Sequence, residues 1–155
     1  MSDVAPVVQM FQTRMREALP DLAASTGAAI PDGFGNFTLL DVPCPSSSSR
    51  LAVLYREYCF EISFSVADTR GPAERQVYIS DDLARAVAAT VDFLRDVVGS
   101  RVLVDVLQYR WLWFDPYYQV SFRESSHRPR GPILRTLSWS GKDNRVGSQI
   151  TAPEK

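Results

Sequence analysis

One histidine and two cysteines are all that this chain offers among the side chains that most often bind metals or carry protons near neutral pH. His127 stands in a polar loop between Ser126 and Arg128. No second histidine or cysteine stands at ligand spacing from it, so the case for a histidine-based metal site is weak and the residue reads as a solvated loop side chain. Cys44 and Cys59 form neither a CxxC pair nor a disulfide framework. Cys59 falls inside a strand pattern and reads as a small buried thiol, whereas Cys44 reads as an incidental residue of a Pro/Ser loop.

Charge of one sign is lacking as well. With 17 basic and 18 acidic residues the net charge is -1, which excludes a general attraction to nucleic acid or to an anionic membrane and leaves only local patches to consider. No apolar run approaches the roughly 18 residues of a membrane span. The opening MSDVAPVVQMFQTRMREAL has no basic leader followed by an unbroken apolar stretch, so the expected location is the cytoplasm. Phosphate-binding and nucleophile signatures are missing too. Gly27 to Gly35 matches neither GxxxxGK[ST] nor GxGxxG, and Ser46 to Ser49 have no GxSxG elbow around them.

What is present is a series of period changes. Hydrophobic residues make up 45 % of the 155 residues and charged residues 23 %, enough for one folded domain with its own core. Val4, Val7, Val8, Phe11, Met15 and Leu19 recur at helical spacing, which predicts an amphipathic helix from about Val4 to Leu19, loosened at Pro20. A turn-rich stretch follows from Thr26 to Asn36, then a short strand from Phe37 to Val42 and an exposed loop from Pro43 to Ser49. Leu51, Val53 and Tyr55 alternate, with Arg56-Glu57 as the predicted hairpin tip. Next, Tyr58, Phe60, Ile62, Phe64 and Val66 alternate with Cys59, Glu61, Ser63 and Ser65, giving a sheet strand with one apolar face.

Ala67 to Gln76 reads as a polar loop. A helix then runs from Asp81 to about Val98, with Ser80 as N-cap, Gly99 at the left-handed position past the end, and a stripe of Leu83, Val87, Val91, Leu94 and Val98. Asp81 and Asp82 complement the helix start, while Asp92 and Asp96 share one solvated face, so these four acids do not read as a metal cluster. Arg101 to Phe114 is a β-branched and aromatic strand, interrupted at Asp115-Pro116 and returning through Tyr117 to Phe122. Ile133 to Trp139 supplies a last strand. Hydrophobic periodicity ends past Gly141, so the domain is expected over residues 1–141, with residues 142–155 as a loose tail.

Short links between successive strands imply antiparallel pairing. The expected architecture is α+β: a mainly antiparallel sheet of about five or six strands, covered on one face by two helices.

Three chemical readings arise from this pattern. Asp105 and Glu61 are the carboxylates that a small hydrolase would use if their strands turned them toward one cleft, although each reads more simply as a residue of the solvated sheet face. Arg123, Arg128, Arg130 and Arg135, close in sequence to Trp111, Trp113, Tyr117, Tyr118 and Trp139, could bind single-stranded nucleic acid by phosphate contact and stacking. Core packing accounts for those aromatics first, a protein interface second, and nucleic acid third. Strand alternation puts Tyr109, Trp111 and Trp113 on one side of the hairpin and Gln108, Arg110, Leu112 and Phe114 on the other. One side is then free of the core. Tyr109, Arg110, Trp111, Trp113 and Arg123 are accordingly the candidate partner-binding residues, with no catalytic group, metal or cofactor assigned.

The order YCFEISFSV, polar loop, ISDDLARAVAATVDFLRDVVGSRVLVDVLQYRW and closing SWSGKDN resembles small bacterial immunity proteins of polymorphic-toxin and contact-dependent inhibition systems, over about Leu51 to Asn144. The resemblance implies a non-enzymatic protein that neutralises one cognate protein toxin by direct binding.

Overall fold

Alternation along Arg50 to Ser65 builds a hairpin. In the computed structural model, which describes residues 4–25, 29–31, 36–67, 69, 71–109, 117–128 and 133–146, strand β3 (Arg50–Arg56) pairs antiparallel with β4 (Cys59–Ser65). Phe60, Ile62 and Phe64 are almost wholly buried on one face of β4. The pairing of Arg56 with Cys59 makes Glu57-Tyr58 the turn, one residue later than expected. The only non-glycine residue with positive φ among those described is Ser100, so this turn needs no left-handed residue.

Before the hairpin come α1 (Val4–Ala18), α2 (Pro20–Ala24), β1 (Ile30–Pro31) and β2 (Phe37–Pro43). Pro20 opens α2 at a first-turn position, where its missing N–H costs nothing. In β2 the register shifts between Thr38 and Leu40, and the extra residue lets the consecutive Leu39 and Leu40 both be buried.

Where a loop was expected from Ala67 to Gln76, Ala73–Tyr78 forms strand β5 and pairs with β4. Its inward positions are Ala73, Arg75 and Val77, opposite Phe64, Ile62 and Phe60. The arginine in that series hides the period from the sequence. β5 is also the last strand of its sheet, where an inward-pointing charge discourages further strand pairing.

Helix α3 (Leu83–Val98) is capped by Asp82, whose carboxylate accepts the Arg85 N–H at 3.2 Å, and not by Ser80. At its C-terminus the left-handed residue is Ser100, with φ 60, one position beyond Gly99. Ser100 N–H donates to Val97 and Arg101 N–H to Asp96, which is the Schellman pattern. Gly99 serves a different need, since a Cβ there would meet the Arg95 carbonyl at 3.0 Å.

After α3 comes a second sheet: β6 (Val102–Tyr109), β7 (Tyr117–Glu124), β8 (Ile133–Leu137) and β9 (Arg145–Val146). The strands are ordered β1-β2-β3-β4-β5 in the first sheet and β7-β6-β8-β9 in the second, with every pairing antiparallel. The fold is therefore α+β, with the strands shared between two sheets. The edge strand β5 lies against the edge strand β7, and α3 touches β4, β5 and β6. α1 packs on α3 and stacks Phe11 on Phe60, so both long helices cover one face. Within the stretch expected as a tail, Asn144 accepts the Ser138 N–H at 2.7 Å and Arg145-Val146 pairs with β8.

Cys44 departs from expectation: it is buried, at 4 % exposure. The loop around it is anchored by Ser46, whose hydroxyl lies 2.9 Å from the Trp139 carbonyl and 3.0 Å from that of Ser138. Gly141 permits this approach, because a Cβ there would come within 2.8 Å of the Ser46 Cβ. The loop after β2 is thereby tied to the turn after β8.

Candidate functional site

Arg123 is the one proposed binding residue whose side chain the structure describes. Arg110, Trp111 and Trp113 lie outside the described residues, as does the side chain of Tyr109, although Tyr109 pairs with Tyr117 through the backbone at the end of the β6–β7 ladder.

Alternation along β6 turns Val104 and Val106 to the helices and Asp105 to the opposite face. Asp105 is nonetheless 3 % exposed. Three groups satisfy it. Arg123 reaches diagonally across from β7 and donates from Nε and, at 3.2 Å, from Nη2, while Thr136, directly opposite on β8, donates its hydroxyl at 2.8 Å. Arg123 Nη1 donates onward to the His127 carbonyl at 2.8 Å, which fastens the turn following β7. A buried carboxylate is tolerable only with such a set of charge-assisted partners. The expectation of a solvated Asp105 is thus corrected, and the same ion pair removes Arg123 from the pool of free cations.

Glu61 is corrected in the same way. It is buried at 6 % exposure on the helix-distal face of β4, with Arg56 3.4 Å away. The structure does not bring Glu61 and Asp105 together: they belong to different sheets, with the edge strands β5 and β7 between them. Burial pushes the neighbouring Cys59 thiol up, and Glu61 adds to this while Arg56 opposes it. Such a thiol stays protonated and unreactive at neutral pH.

A cleft of about 500 Å³ opens at the seam of the two sheets, beneath α3. Its apolar wall is Phe93 of α3 set edge-on to Phe122 of β7, with centroids 5.1 Å apart. Arg75 of β5 lies over the Phe93 ring, its guanidinium carbon 5.1 Å from the centroid. Arg75 is exposed, so its head lies over the ring and stays open to solvent at the cleft rim. Arg123 closes the β7 side. The acidic members of the rim each have a basic neighbour: Asp92 has Arg95, Asp96 has Arg101 at 3.6 Å, and Glu124 has His127 at 3.1 Å, an ion pair only when that exposed histidine is protonated.

The basic stretch from Arg123 to Arg135 does not form one patch among the described residues. Arg123 is on β7 and Arg135 on β8, with β6 between them, and Arg128 is exposed in the loop; Arg130 lies outside the described residues. No sequence signal marked Phe93, Phe122 or Arg75 as site residues, since α3 brings the first onto strands that are remote in sequence. Among the described residues no helix is long and apolar enough to cross a membrane. Comparison with protein-family models, curated proteins and solved structures finds no match to this chain.

Proposed function

We propose that this chain is a non-enzymatic protein-binding domain, an immunity protein that neutralises a cognate bacterial toxin by direct contact in the cytoplasm. The observation that carries the binding reading is the setting of Arg123. Asp105 and the His127 carbonyl hold its guanidinium in one orientation on the helix-distal face of β7, while the residue before it, Phe122, walls the cleft on the other face. Arginine and aromatic side chains dominate the energetics of protein interfaces, and an arginine already immobilised loses less entropy when a partner arrives. The toxin as partner rests on the resemblance in element order to immunity proteins. The hydrolase reading draws no support from carboxylates that are each committed to a separate ion pair.

Co-expression with any candidate toxin encoded beside this gene tests the proposal. The expected result is restored growth and a complex that co-purifies, with Trp111→Ala and Trp113→Ala each weakening the complex at least about tenfold at an unchanged Tm. Absence of both protection and complex overturns the toxin reading. If both tryptophan substitutions act only by lowering Tm, the hairpin is core and not interface.

A further inference from the structure

We infer that the seam cleft is a subsite for a single carboxylate, an Asp or Glu side chain on a partner protein, received by Arg75 over the Phe93 ring. This rests on the reading of the β6–β7 rim as a protein contact, and it names the chemistry that the rim accepts.

Three arginines line the cleft, and two are engaged: Arg123 with Asp105, and Arg101 with Asp96. Arg75 has no carboxylate within ion-pair distance among the described residues; its contact is the face of Phe93. This contact leaves the guanidinium N–H groups without a salt-bridge partner among the described residues, and their planar fork presents an edge. That edge matches a carboxylate, which can accept two parallel hydrogen bonds from it.

The rest of the rim selects among anions. Asp92, Asp96 and Glu124 border the same opening. Asp92 and Asp96 are paired with Arg95 and Arg101, and Glu124 is offset only when His127 is protonated, so the rim has no surplus of positive charge for a polyanion, whereas one carboxylate can pair with Arg75. Phe93 and Phe122 add an apolar wall, so an acidic residue followed by an aromatic or aliphatic one fits better than a free anion. The volume, about 500 Å³, lies within the range of small-ligand sites and holds two such side chains.

The test is an NMR titration of the full chain, following the Arg75 Nε–Hε signal, which is assigned by its loss in Arg75→Gln. The probes are acetyl-Glu-Phe-amide, acetyl-Gln-Phe-amide and inorganic phosphate, at matched ionic strength. The expected result is a saturable shift with the Glu peptide. Affinity should be at least about tenfold weaker for the Gln peptide and for Arg75→Gln, and intermediate for Arg75→Lys, which keeps the charge and loses the fork. Equal shifts with the two peptides overturn the proposal whatever the variants do, because that comparison uses only the native chain. Phosphate binding as tight as the Glu peptide overturns it in favour of a general anion site. No toxin enters this measurement, so failure of neutralisation and failure of the subsite are read separately.

Discussion

Asp105 and Arg123 show how one ion pair can organise a rim without taking part in chemistry. Their side chains are 5 % and 16 % exposed, so each charge depends on the other for its solvation. Arg123→Ala should therefore destabilise the fold by about 3 to 5 kcal/mol in urea unfolding, because it strands a buried carboxylate. Thr136→Val, which removes one neutral donor, should cost only about 1 kcal/mol. The double variant Asp105→Asn, Arg123→Gln should lose much less than the sum of its two single changes. Near-additive losses under about 1 kcal/mol would make the pair a surface contact of little consequence. None of this was legible in the residue pattern. A lone Asp in a strand of valines and leucines looks the same whether its face meets water or an arginine arriving from the neighbouring strand.

At the scale of elements, α3 was the most legible part of the chain, because helix signals are local in sequence. The apolar spacing located it, and Val87, Val91 and Leu94 are all within 1 % of full burial. Its end at Val98 was as expected, whereas its start and its cap positions were displaced by one or two residues, since several residues of suitable type stand together. Ser80, Asp81 and Asp82 can each cap a helix, and backbone geometry selects Asp82. Asp82→Ala should lower stability by about 1 kcal/mol, and Ser80→Ala should leave the melting curve in place; the reverse order would reassign the cap. β5 was illegible for the opposite reason. The sequence AERQVY has only two apolar residues on its inward face, and the third inward position holds Arg75, whose surroundings come from α3. A strand made by its neighbours leaves little trace in its own composition.

For the whole molecule, α3 joins two sheets whose strands do not hydrogen-bond to one another. Leu94, fully buried on that helix, should when changed to Ala cost about 2 to 5 kcal/mol and speed amide exchange in β4 and β6 together. Loss of protection in one sheet alone would show that the sheets open independently. By itself the sequence determined the class of fold, the antiparallel succession of strands and the helix-covered face, because these follow from periodicities of two and 3.6 residues and from short connections. It also determined that this chemistry has no histidine pair, thiol pair or phosphate loop to draw on. The tertiary structure alone decided that nine described strands divide into two sheets, that Asp105 and Glu61 are separate and buried, and that Arg75, Phe93 and Phe122 meet. Each of these depends on contacts between residues far apart along the chain, and no local periodicity encodes which distant side chain will stand opposite.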